Sequence, residues 1–304
     1  MKILFAHTAS RWAYSTHLEE TLKKDHSLAT VDLLRTAYYT DIRGLLPFYV
    51  PKGIPLSYKS MAGGAERPFD LVLECSGAGQ HHLAGLKRCP VPALHWTVDD
   101  HEPAKRRFEM SIKKDFDKVF VCHKDYLSFY RDVPCRWLPP ACDPALHRKM
   151  DLPKLYDVGF VGNLDRRFYP ERVDALERLS KRFNVRAFHK VYGDDMVKIL
   201  NQSRIVFHKS FNRDLSTRVF DTLASGSFLL ADRIQDGLSD CFQEGKHLAL
   251  YDGHGDLEEK IAYYLAHEEE REKIAAEGRR EALAKHTFAQ RARAILEEAA
   301  KISK

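Results

Sequence analysis

Apolar residues occur along this chain in short runs, bounded by polar or turn-forming residues and separated by stretches of helical spacing. Lys2–Ala6 (KILFA), Leu28–Leu34, Asp70–Glu74 (DLVLE), Ala93–Val98 (ALHWTV) and Lys118–Cys122 (KVFVC) read as strands. Helical patterns fall around Thr16–Lys24, His81–Lys87 and Ala104–Lys113. Strands spaced by helices form βαβ units, and a parallel sheet covered on both faces requires runs apolar throughout. Segment Arg43–Pro68, with several Gly and Pro, is expected to be an irregular surface loop.

The periodicity breaks at Trp137–Pro153, where WLPPACDPALHRKMDLP carries four prolines. It restarts with strands at Asp157–Val161, Val185–His189, Arg204–His208 and Phe228–Ala231. Helices are expected near Glu171–Lys181, Asp195–Asn201 and Thr217–Ala224, and from about Leu257 the chain is largely helical. Two successive βα domains result: residues 1–150, residues 151–285, and a last helix in 286–304 expected to cross back onto the first domain.

Composition narrows the classes. With 44% hydrophobic and 30% charged residues, the chain as a whole is not disordered. A net charge of +5 over 304 residues favours anionic partners without singling out nucleic acid, and no nucleic-acid motif is present. The six cysteines are scattered, with no CxxC and no zinc-ligand spacing, which reads as reduced thiols in a cytoplasm. No run approaches the roughly 18–20 apolar residues of a spanning helix, so membrane contact is expected to be peripheral at most.

The stretch with most chemistry is Phe207–Asp232, FHKSFNRDLSTRVFDTLASGSFLLAD. A strand ends near His208, a polar loop follows, and Ser216 or Thr217 can cap a helix. On that helix Arg218, Asp221 and Ser225 share one face, while Val219, Phe220, Leu223 and Ala224 lie toward the core. A helix N-terminus beside a guanidinium suits a diphosphate, and a carboxylate one turn on can accept from ribose hydroxyls. The plainer alternative is a surface Arg218–Asp221 pair on an ordinary helix.

RVFDTLASGSFLLAD and the segment GLSDCFQEGKHLALYDGHGDLEEKIAYYLAHEEEREKIAAEGRREALAKHTFAQRA resemble the C-terminal domain of the CgeB-like (spore-maturation) glycosyltransferases, relatives of glycosyltransferase family 4. YDVGFVGN and VYGDDMVKILNQSRIVFHKS are similar too, so the resemblance covers about Tyr156 to Ala292. It implies an α/β fold of the GT-B type, with two Rossmann-like domains facing each other across a cleft. It also implies a nucleotide-sugar donor, an unspecified acceptor (a surface glycan, lipid or protein) and no metal or other cofactor. Gly162 and Asn163 are then a tight loop after the first strand of the second domain. Thr217 and Arg218 face the diphosphate, with help from Lys209 or Arg213. Asp221 stands where the family usually has a ribose-binding Glu. A second acidic residue common eight positions earlier is replaced here by Arg213, with Asp214 one step off, so the resemblance does not fix the stereochemistry.

The first half resembles the family less. In ALHWTVDDHEP a strand runs into Asp99, Asp100 and His101, and a similar strand-then-WxxDD pattern occurs in CgeB-like proteins. Asp99 or Asp100 can position or deprotonate an acceptor hydroxyl, with His95 and His101 as alternatives. Equally, the two aspartates can cap the helix near Pro103, and His95 can be a core histidine. Arg11 and Trp12, after the first strand, suit a sugar or phosphate acceptor, and core packing of Trp12 is an equal reading. Ser76–Gln80 (SGAGQ) lacks the GxGxxG pattern and reads as a tight turn. Two rivals keep the same architecture: a nucleotide-sugar epimerase, and a non-catalytic binding module.

Overall fold

The computed structural model describes residues 1–8, 10, 13–33, 38–40, 48–49, 57–63, 68–75 and 81–304. The chain divides into two units, Met1–Pro139 with Phe288–Lys304, and Pro140–Thr287.

The first unit is built on strands β1 (Lys2–His7), β2 (Ser27–Asp32), β3 (Tyr38–Thr40), β4 (Phe48–Tyr49), β5 (Leu71–Cys75), β6 (Ala93–Thr97), β7 (Lys118–Val121) and β8 (Cys135–Trp137). They form one sheet in the order β4-β3-β2-β1-β5-β6-β7-β8. All neighbours are parallel except β2–β3 and β3–β4. Helices α1 (Tyr14–Leu22), α2 (Tyr58–Ala62) and α3 (Pro103–Ile112) connect them. The central strands β5 and β6 are buried at every position, as two covered faces demand.

Three sequence expectations meet this unit differently. The antiparallel strand β4 falls inside the segment expected to be irregular, and most of the rest of Arg43–Pro68 lies outside the described residues. Ser76–Gln80 also lies outside them. The helix expected at His81–Lys87 is only a 3₁₀ turn, Leu86–Arg88, entered through Gly85 at φ 83°. That left-handed backbone and the bridge between Ala84 and Ser57 hold the preceding residues extended.

The second unit contains β9 (Tyr156–Gly162), α4 (Pro170–Leu179), β10 (Val185–His189), α5 (Gly193–Gln202), β11 (Ser203–His208), α6 (Thr217–Ala224), β12 (Leu229–Asp232), α7 (Leu238–Cys241), β13 (Ala249–Tyr251), α8 (Gly253–Ala266) and α9 (Glu268–Lys285). Its strands are all parallel, in the order β10-β9-β11-β12-β13. Phe160, Phe207, Leu230 and Tyr251 from the sheet pack against Ala175 and Leu176 of α4 and Leu257 and Ile261 of α8. The edge strand β10 keeps exposed positions, whereas β12 and β13 are buried throughout. Strand β13 has three residues, too short for its periodicity to be read.

The last helix, α10 (Phe288–Ala299), belongs to the first unit. His17 of α1 stacks on Phe288 at 5.5 Å, Arg291 Nε donates to Pro139 O at 2.7 Å, and Lys118 pairs with Glu298 at 2.9 Å. Among the described residues no helix is long and apolar enough to cross a membrane.

Candidate functional site

In an open parallel sheet the loops at the strands' carboxyl ends separate where the strand order reverses. In the second unit that point lies between β9 and β11, so the residues following Gly162 and His208 should form the site.

Gly162 ends β9. A Cβ there would lie 2.7 Å from the Phe160 ring and 3.0 Å from Arg218 Nη1, so glycine is what lets this guanidinium lie against the strand end. Arg218 is the second residue of α6, and its Nε is buried with no hydrogen-bond partner among the described residues. Burial lowers its pKa, with Asp221 as the nearest compensating charge. The helix cap is open as well: the Ser216 hydroxyl makes no capping bond and lies 3.5 Å from His208 Nε2 instead. Buried donors are normally satisfied, so a guanidinium short of partners beside uncapped amides marks a place for an anion. Thr217 opens this helix, half-exposed.

Around this guanidinium the other cations are tied down. Arg172 of α4, which sequence reasoning missed, is buried, with its guanidinium carbon 4.1 Å from the Tyr169 ring centre. It donates to Asn163 O at 3.0 Å and Lys209 O at 2.7 Å, and so clamps the two loops together. Burial, then the charge of Arg218, pushes its pKa down to about 10, so it stays cationic at neutral pH. Its place two residues after Pro170 at the start of α4 was the available signal. Lys209 lies 3.1 Å from Asp232 and 3.3 Å from Glu171. Burial opposes the Asp232 carboxylate, but the Ser210 N–H and hydroxyl, and Lys209, hold its pKa below the usual range. His208 itself is buried and pushed down to about 3, first by burial, so its ring is neutral.

Asn163 uses its side-chain oxygen to accept from Asp165 N, and its carbonyl holds Arg172. Asp221 lies one turn beyond Arg218, with a carboxylate oxygen 3.3 Å from His147 Nδ1. Arg213 is exposed and left-handed at φ 58°, directly after Asn212 at φ 51°. The structure therefore brings Gly162, Asn163, Thr217 and Arg218 to one strand end and adds Arg172, while Lys209 is already neutralised.

The residues expected to act in the first unit fare differently. His95 is fully buried on β6, its Nε2 2.6 Å from Glu109 and its ring stacked on Phe116 at 4.4 Å. Asp100 is equally buried and accepts from Thr97 and Tyr130 hydroxyls, and burial raises its pKa. Both are fully enclosed, which leaves neither with an exposed polar atom for a substrate and does not fit the expected catalytic placement. Asp99 is part-exposed and paired with Lys105. Asp99, His101 and Glu102 stand close enough to share an ion, and the Lys105 ammonium bridges Asp99 and Glu102. The His101 Nδ1 lies 3.4 Å from His123 Nε2, and burial lowers the His101 pKa. Arg11 and Trp12 lie outside the described residues.

The family model described as glycosyl transferase-like matches residues 143–297, just over half of the chain. The chain belongs to that family. The spore protein CgeB of Bacillus subtilis (strain 168) is 23% identical over 251 residues, covering 68% of this chain and 74% of the relative. Two solved structures share the architecture across 99% of this chain. Sucrose-phosphate synthase of Thermosynechococcus elongatus aligns with a TM-score of 0.67 at 12% identity over 98% of its own chain. Anabaena HepE in complex with UDP-glucose aligns with a TM-score of 0.67 at 13% identity over all of its chain. The chain is thus a CgeB-like glycosyltransferase with an α/β fold of the GT-B type.

Proposed function

We propose that this glycosyltransferase takes its sugar from a nucleoside-diphosphate sugar bound at the carboxyl ends of β9 and β11, without a metal. The observation that carries this reading is the half-buried Arg218 guanidinium, short of partners beside the uncapped start of α6. In the transfer, negative charge grows on the departing diphosphate, and fixed donors aimed at that charge lower the barrier. Arg218 and the α6 amides supply the donors. Arg172 adds positive field from behind, held by the two carbonyls it bridges. Asp221 accepts from the ribose, and Asp99 and His101 remain the candidates for acting on the acceptor hydroxyl, since His95 and Asp100 are enclosed. A cytoplasmic setting fits the six free thiols, five of them buried. That HepE was solved with UDP-glucose supports the donor class.

Incubation with a panel of nucleotide sugars and candidate acceptors tests the proposal. A transferase releases nucleoside diphosphate and glycosylates the acceptor. Isomerised donor alone makes the chain an epimerase, and binding without turnover makes it a recognition module.

A further inference from the structure

A second concavity, of 470 Å³, opens at the carboxyl ends of β11, β12 and β13, and neither Gly162 nor Arg218 lines it. Its size falls within the roughly 300–1,000 Å³ of small-molecule sites. Ala175, Leu257 and the Tyr251 ring form an apolar floor, all buried. Above them three cations (Lys209, Arg213, Arg233) face three carboxylates (Glu171, Asp232, Asp252), so the charged lining is balanced. Most of these charges are matched on the spot: Lys209 to Asp232 and Glu171, and Arg233 to Asp252 at 2.5 Å and Glu244 at 3.1 Å.

That charge balance selects the ligand. Lys209 and Arg233 are already answered by carboxylates, and Arg213 is the one lining cation without an ion pair among the described residues, too little free positive charge for a phosphate pocket. A nucleobase needs an open aromatic face, but Tyr251 is 6% exposed, stacked on Phe207 at 5.8 Å. What remains in quantity is planar carboxylate and guanidinium edges, each offering adjacent acceptors or adjacent donors. Such edges match neighbouring hydroxyls on a ring, and the apolar floor matches the ring's C–H face. The rim is also pre-shaped. Asn212 and Arg213 occupy consecutive left-handed conformations, held by Gln235 N donating to Arg213 O at 3.2 Å and Phe211 N donating to Asp214 Oδ1 at 3.0 Å. Non-glycine residues adopt that backbone at a cost, and such strain concentrates at functional sites.

We propose that this concavity binds a neutral sugar residue, separately from the diphosphate site of the transferase reading. The protein titrated with glucose, galactose and N-acetylglucosamine, followed by NMR shifts and calorimetry, should bind at least one with a Kd on the order of 1 mM. His254→Trp fills the concavity from an exposed rim position and should weaken that binding at least about 10-fold, leaving UDP affinity unchanged. Arg218→Ala should do the reverse. Absence of binding by all three sugars, equal sugar affinity in H254W and wild type, or shifts at this concavity caused by uridine or inorganic phosphate would overturn the proposal. Failure of UDP to bind wild type would count against the donor reading instead.

Discussion

Both units bury charged side chains near strand ends, but they satisfy them in opposite ways. In the first unit acids and histidines pair into a chain, with His95 Nδ1 left without a hydrogen bond among the described residues. Asp115 meets His82 at 3.2 Å, His82 meets Glu74 at 3.0 Å, Glu74 stands 3.7 Å from His95, and His95 meets Glu109 at 2.6 Å. In the second unit cations outnumber their local partners: Arg218 and Arg172 each keep a buried Nε without a partner. Burying charge is costly unless it is paired, so a chain of paired groups holds structure whereas a cationic cluster short of partners can accept an anion. Titratable residues in a strand-end motif therefore say little until their partners are known.

The largest expected effect is on the acid–histidine chain. His95→Gln removes the ring nitrogen that bonds Glu109 inside the fold and should cost about 3 kcal/mol in chemical denaturation, while the folded protein keeps its UDP affinity. A loss of UDP binding matching the loss of stability would erase the contrast between the units. Next comes Gly162→Ala, which forces a Cβ against Phe160 and Arg218 Nη1. Overpacking of this kind costs about 1–3 kcal/mol, and here it should also weaken UDP because the displaced group is the guanidinium. Stability without a change in affinity would show that Arg218 does not face the ligand.

The two units also part on pH. Burial opposes protonation of His82 and His95, yet Glu74 raises the first and Glu109 the second. Folded pKa values above the unfolded value of about 6.5 give stability that is complete below that pH and fades as pH rises through the folded values. The melting temperature should therefore fall from pH 6.5 upward, with a shallower slope in His95→Gln. An unchanged slope would place the dependence elsewhere. The smallest effect is expected for Asp221→Ala, about 5–10-fold in UDP affinity, because one hydrogen-bonded hydroxyl contributes about 1 kcal/mol.

The order of strands and helices was legible because covered parallel strands carry an apolar run at their centre, as in the LVL of DLVLE and the VFV of KVFVC. Three-residue strands such as β8 and β13 were not, since their pairing depends on partners distant in sequence. In the candidate site, the placement of Gly162, Thr217 and Arg218 at strand end and helix start was legible because both are local signals. Arg172 was not: its function rests on carbonyls at 163 and 209 that only folding brings within reach. His95 and Asp100 misled for the same reason, because Glu109 and Tyr130, which enclose them, are far along the chain.

Calorimetric titration of UDP into wild type and Arg218→Ala tests the central claim most directly. Removing a charge that closes on a bound diphosphate should weaken affinity about 100-fold, with the unliganded melting temperature nearly unchanged. Affinities within about threefold of each other would contradict the account, because the guanidinium would then have no anion to answer.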